Sequence, residues 1–126
     1  MSTITTINPY TQEELKTYKL IDDAVLQQKL ELVEAQFKDW KTFEIKDRRK
    51  RLSKVAELLI ERKETYAKLI AEEMGKPISQ GISEIEKCAW VCDFYAKNAD
   101  DFLADQLIET DAEESFISYD PLGVIL

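Results

Sequence analysis

Cys88 and Cys92 are the side chains of this sequence best suited to covalent chemistry. A thiolate attacks carbonyls and binds soft metals, but it needs a base, a cation or an oxyanion site beside it. The two cysteines stand four apart inside a helical pattern, not in a Cys-x-x-Cys turn, so neither a redox pair nor half a zinc site is indicated. They are expected as small core residues on one helix face, because free cysteine is among the most buried residue types. Histidine is absent. That removes His-assisted nucleophiles, His proton shuttles and His-containing metal sites from this stretch. Lys76 follows Gly75 and has the look of a phosphate lysine, but Gly75 and Gly81 have the wrong spacing for a dinucleotide fingerprint and no strand precedes them. Lys76 is therefore expected to be the solvated C-terminal residue of a helix. Asp100, Asp101 and Asp105 could hold a divalent cation only weakly, and a solvated helix end is the simpler reading. No catalytic, cofactor-binding or metal-binding residue is assigned within the chain.

Composition narrows the partners. The chain has 126 residues, is 44% hydrophobic and carries a net charge of −8, enough for one compact domain or part of one. Acidic residues crowd toward the end at Asp105, Glu109, Asp111, Glu113 and Glu114. Such a surface repels phosphate backbones, so nucleic acid is excluded as a partner. The basic run from Lys46 to Lys54 does not reverse this, because Asp47 and Glu57 weaken its field. No apolar stretch approaches the roughly 20 residues that a membrane span needs. Met1-Ser2-Thr3-Ile4-Thr5 lacks the basic start and apolar core of a signal peptide, so no membrane partner and a cytoplasmic location are expected.

The elements that must position any site are legible from period and punctuation. Residues 1–20 read as a β-hairpin: β-branched Thr3 to Ile7, turn chemistry in Asn8-Pro9-Tyr10-Thr11-Gln12, and a return strand from Leu15 to Leu20. Residues 21–105 read as a helical bundle. Asp22 or Asp23 caps a first helix whose Leu26, Leu30, Val33, Phe37 and Trp40 recur at helical spacing. A second helix starts near Glu44, with Leu52, Val55, Ala56 and Leu59 inward. Its Arg48, Arg49, Lys50 and Arg51 face the wrong end of the macrodipole, so they are expected to be solvated or paired with Glu44 and Asp47. Tyr66, Leu69 and Ile70 continue the pattern to a stop at Gly75-Lys76-Pro77, and a kink near Lys63-Glu64 is left open. The last helix keeps a 4-3 spacing through Ile78, Ile82, Ile85, Ala89, Cys92, Ala96, Ala99 and Leu103. Trp90, Phe94 and Phe102 give it a second apolar flank. Residues 106–120 read as a second hairpin, with Leu107 to Thr110 and Ser115 to Tyr119 flanking Asp111-Ala112-Glu113-Glu114. Residues 121–126 read as the start of a buried strand, of the kind found in a parallel sheet.

Three motifs carry a resemblance. Asn8-Pro9 with Glu13 resembles an opening N-P-x-x-G-E, with Gln12 where glycine is usual. Glu73-Met74-Gly75-Lys76-Pro77, with Glu84 seven residues on, resembles an E-x-G-K-P segment leading into a long helix. Tyr119-Asp120-Pro121-Leu122-Gly123-Val124 resembles the x-P-x-G-V start of a cofactor-domain strand. In this order they resemble the N-terminal part of the aldehyde dehydrogenase superfamily, and Cys92-Asp93-Phe94-Tyr95-Ala96 is most similar to bacterial NAD(P)-dependent succinate-semialdehyde dehydrogenases.

The resemblance implies an α/β parent enzyme of which this mainly α-helical stretch is scaffold. In that family a cysteine thiolate attacks the aldehyde, a hydride leaves to NAD or NADP, and a glutamate-activated water releases the acid. Those groups follow the x-P-x-G-V strand, so the chain alone is expected to be inactive and to bind neither cofactor. The resemblance further implies a small-molecule aldehyde substrate, a homo-oligomer assembled through the 106–120 region, and a Trp90/Phe94 flank that packs near the substrate entrance. The competing reading is a free-standing helical protein-interaction module bound through its heptad face. The apolar ending Val124-Ile125-Leu126 argues against it.

Overall fold

The computed structural model describes residues 2–125; Met1 and Leu126, the latter part of the expected strand, lie outside the described residues. In chain order the elements are β1 (Thr3–Ile7), β2 (Glu14–Lys19), α1 (Asp23–Trp40), α2 (Ile45–Glu61), α3 (Lys63–Met74), α4 (Ile78–Phe102), β3 (Gln106–Leu107) and β4 (Phe116–Ile117). Four helices and two small antiparallel hairpins result among the described residues, and the third helical stretch, left open by the sequence pattern, is separate.

β1 and β2 pair antiparallel with Thr5 opposite Thr17, whose hydroxyls lie 2.8 Å apart. The turn between them is built by Asn8, whose Oδ1 accepts from the backbone N–H groups of Tyr10 (2.9 Å) and Thr11 (3.1 Å). Gln12 sits at φ +64°, a left-handed position where glycine is the unstrained choice. Its side chain offsets part of that cost by donating to the Pro9 carbonyl at 2.8 Å.

Asp22 caps α1 by accepting from the Val25 N–H at 2.8 Å. The expected bundle is narrower than the sequence implied. Among the described residues none of α1 is buried, and Leu26, Leu30 and Val33 of its apolar stripe remain about two-fifths exposed. The packed part consists of α2, α3 and α4. Arg62, at φ −109° and ψ 14°, ends α2 and begins α3, so the break falls one residue before Lys63-Glu64. Gly75, at φ +70°, ends α3 and donates to the Ala71 carbonyl at 3.0 Å.

The core is made of small residues. Ala56 of α2, Ala67 of α3, and Gly81, Ile85, Ala89 and Ala96 of α4 are buried, Ala67 completely. Small side chains let helix axes approach closely: a Cβ placed on Gly81 would lie 3.1 Å from both Cα and Cβ of Ala67. Along the predicted seam of α4, Ile85, Ala89 and Ala96 are buried and Ile82, Cys92 and Ala99 half-buried, whereas Ile78 and Leu103 are exposed where the neighbouring helices end.

Several expectations are corrected. Cys88 is exposed and Cys92 half-buried, because the buried seam centres on Ile85, Ala89 and Ala96, from which Cys88 lies about 60–100° around the helix. Lys50 pairs with Asp47 (3.2 Å), as expected, and Lys46 pairs with Glu44. Arg49 instead crosses to α4, where it pairs with Asp100 and donates from Nε to the Ala96 carbonyl at 2.5 Å. Arg51 lies over the rings of Trp40 (5.4 Å) and Phe43 (5.6 Å). Lys76 is half-buried and ion-paired with Glu84, not solvated.

The second hairpin is shorter than expected, two residues per strand, with Gln106 opposite Ile117 and Leu107 opposite Phe116. Residues 121–125 form no strand, and Leu122 (96%) and Ile125 (81%) are exposed. A strand needs a neighbouring ladder, and none lies beside this segment among the described residues. Gly123 and Val124 instead turn toward the end of α1 and line a hollow of about 320 Å³ with Val33, Phe37, Trp40 and Phe43.

Candidate functional site

Trp90 and Phe94 stand one turn apart on α4 and stack, with ring centroids 5.5 Å apart and planes at 28°. Phe94 meets Tyr95 edge-on at 5.5 Å and Phe102 at 5.9 Å, so four rings form a ladder toward the C-terminal end of α4. The ladder is exposed, with Trp90 at 60% and Phe102 at 48%. Contiguous aromatic surface beside a buried seam is the mark of a face that another surface covers. Its chemistry is apolar contact and stacking.

On the other side of Trp90, a groove of about 580 Å³ runs between α2 and α4. Ala56, Ala89 and Ile60 form its apolar floor, and Glu57, Glu61, Glu86 and Asp93 its rim. Three of these carboxylates hold lysines outside the groove: Glu57 takes Lys54 (2.7 Å), Glu86 takes Lys63 (2.5 Å) and Asp93 takes Lys97 (2.5 Å). The Glu57 hydrogen bond, then its charge, raises the pKa of Lys54 above the ordinary lysine value. Glu86 does the same to Lys63. Both lysines stay charged throughout the neutral range.

The first two sequence motifs come together in the fold. The Asn8-Pro9 turn and Gly75-Lys76-Pro77 meet in space, because a Cβ on Gly75 would lie 3.1 Å from Cγ of Pro9. Lys76 then ties this corner to α4 through Glu84. Asp100 is committed to Arg49. Among the described residues no group of three or more His, Cys, Asp or Glu is placed to hold a metal ion, and no helix is long and apolar enough to cross a membrane. The acid-rimmed groove and the Arg49–Asp100 bridge escape sequence reading, because each joins residues from two helices far apart in the chain.

Comparison with known proteins places these features in context. The model of the aldehyde dehydrogenase family matches residues 1–126. A probable succinate-semialdehyde dehydrogenase (NADP+) of Synechocystis sp. is 42% identical over 123 residues, covering 98% of this chain and 27% of that protein. A succinate semialdehyde dehydrogenase (NAD(P)+) of Escherichia coli is 35% identical over 120 residues, covering 95% and 26%. The crystal structure of succinic semialdehyde dehydrogenase from Streptococcus pyogenes, in complex with NADP+, superimposes with a TM-score of 0.84 at 33% identity. That superposition covers 89% of this chain and 25% of that one. The chain spans about a quarter of the length of the curated relatives it matches.

Proposed function

The chain belongs to the aldehyde dehydrogenase family, and from that premise we propose that it supplies the helical scaffold of an NAD(P)-dependent enzyme that oxidises an aldehyde to the carboxylic acid. Succinate semialdehyde is the proposed substrate, after the names of the relatives from Synechocystis and Escherichia coli. The observation that carries this reading is the similarity over residues 1–126, which includes the Pro9, Gly75 and Lys76–Glu84 corner.

On this reading the nucleophile and the groups that grip NAD or NADP lie outside these residues. Residues 1–20 and 21–105 are the hairpin and helical scaffold, 106–120 contribute to a cytoplasmic homo-oligomer, and 121–126 open the cofactor domain. The aromatic ladder from Trp90 through Phe94 to Phe102 flanks the substrate entrance.

A chimera tests the proposal: the Synechocystis relative with its matching segment replaced by residues 1–126. It should oxidise succinate semialdehyde with NADP+, and Trp90→Ala within it should raise KM several-fold without lowering the melting temperature. A folded chimera without turnover would contradict the scaffold reading, and an unchanged KM would remove Trp90 from the entrance.

A further inference from the structure

A hollow of about 390 Å³ lies where the end of α1, α2 and the end of α4 meet. Trp40, Leu52, Val55, Ala99 and Leu103 give it apolar walls, and the charged residues that line it, among the described residues, are all arginines: Arg48, Arg49 and Arg51. Two of these cations are committed. Arg49 pairs with Asp100 and donates to the Ala96 carbonyl, and Arg51 lies over the rings of Trp40 and Phe43. Arg48 is not: its Nε is buried without a hydrogen-bond acceptor among the described residues. The acids beside it in sequence are already taken, Glu44 by Lys46 and Asp47 by Lys50. Buried polar groups are nearly always bonded, and a charged donor left without an acceptor is the costliest exception. Arg48 therefore faces an apolar hollow with unused capacity for an anion.

We propose that this hollow binds a medium-chain aliphatic carboxylate. The carboxylate takes the guanidinium of Arg48, once the side chain turns its N–H edge into the hollow, and the methylenes lie along Leu52, Val55, Ala99 and Leu103. A guanidinium edge and a carboxylate match through two parallel N–H···O bonds, a geometry that restores the acceptor missing at Nε. The apolar walls decide the class of anion. Inorganic phosphate would leave several oxygens facing hydrocarbon without donors, whereas an alkyl chain gains by displacing water from the same walls. The volume suits a small molecule. The hollow shares no lining residue with the groove beyond Trp90, so the two can be tested separately.

Trp40 and Trp90 are the two tryptophans of the chain, and Trp90→Phe leaves Trp40, in the wall of the hollow, as the sole fluorescent reporter. Octanoate titrated into that variant should shift the Trp40 emission saturably. Hexanoate should bind roughly tenfold more weakly, as expected for two fewer buried methylenes. Uncharged 1-octanol should also bind at least tenfold more weakly than octanoate. Adding Arg48→Gln should lower the octanoate affinity at least tenfold and leave that for 1-octanol unchanged, with circular dichroism to verify the fold. Should Arg48→Gln not fold, the comparison of octanoate with 1-octanol decides without it. The proposal is overturned if millimolar octanoate gives no saturable shift, if 1-octanol binds as tightly as octanoate, or if Arg48→Gln folds and keeps the octanoate affinity. Butyrate or inorganic phosphate binding as tightly as octanoate would overturn it as well, because the walls would then contribute nothing.

Discussion

Gly81→Val should destabilise the chain by about 2 kcal/mol, read as a lower midpoint in urea unfolding. Two effects oppose one another at this position. Replacing a helix-interior glycine removes a propensity penalty of about 1 kcal/mol. Against that, the new Cβ would lie 3.1 Å from Cα and Cβ of Ala67 and 3.3 Å from its carbonyl oxygen. Two of those atoms are backbone of α3 and cannot swing aside. Overpacking costs about 1–3 kcal/mol for added methylenes, and valine adds two further carbons at the same contact, so the steric term wins. Gly81→Ala should fall between glycine and valine. A Gly81→Val midpoint matching the unmodified chain would show that α3 and α4 are not as close as described.

Ile85→Ala should cost about 2–4 kcal/mol, the usual range for truncating a buried aliphatic side chain. Ile85 is 9% exposed and, among the described residues, is the one large aliphatic side chain in the buried set, where alanine otherwise dominates. Its loss leaves a cavity that Ala56, Ala67 and Ala89 have no length to fill. Trp90→Ala on the same helix should cost far less stability, since Trp90 is 60% exposed. Equal losses from the two variants would contradict the division of α4 into a buried seam and an exposed ladder. Because domains of this size are stable by only about 5–15 kcal/mol, either core variant would markedly raise the unfolded fraction.

Local chemistry was legible in the sequence. Asp22 as a cap, Gly75 as a left-handed stop and the Ile85-Ala89-Ala96 seam each follow from residues a few positions apart, where propensity and period carry the signal. Pairings across elements were not legible. Lys76 reaches Glu84 because the chain turns at Pro77, and Arg49 reaches Asp100 because α2 lies along α4; neither follows from helical spacing. The stripe Leu26-Leu30-Val33 shows which face of α1 is apolar, but a period cannot say whether a neighbour covers it, and here it stays exposed. The same limit applies to Leu122 and Ile125, whose apolar character implied a strand that the described residues do not form. For the candidate site, the aromatic flank of Trp90 and Phe94 was visible as spacing. The acidic groove on its other side, assembled from α2 and α4, was not.

On the proposed function, residues 1–126 are scaffold and hold none of the groups that bind nucleotide or react. Calorimetric titration of the chain with NAD+ and with NADP+, paired with an absorbance assay for cofactor reduction by succinate semialdehyde, tests it most directly. Neither nucleotide should bind tighter than about 1 mM, which corresponds to about −4 kcal/mol, and reduction should not rise above the blank. Saturable binding of either nucleotide in the micromolar range, or turnover above the blank, would contradict it.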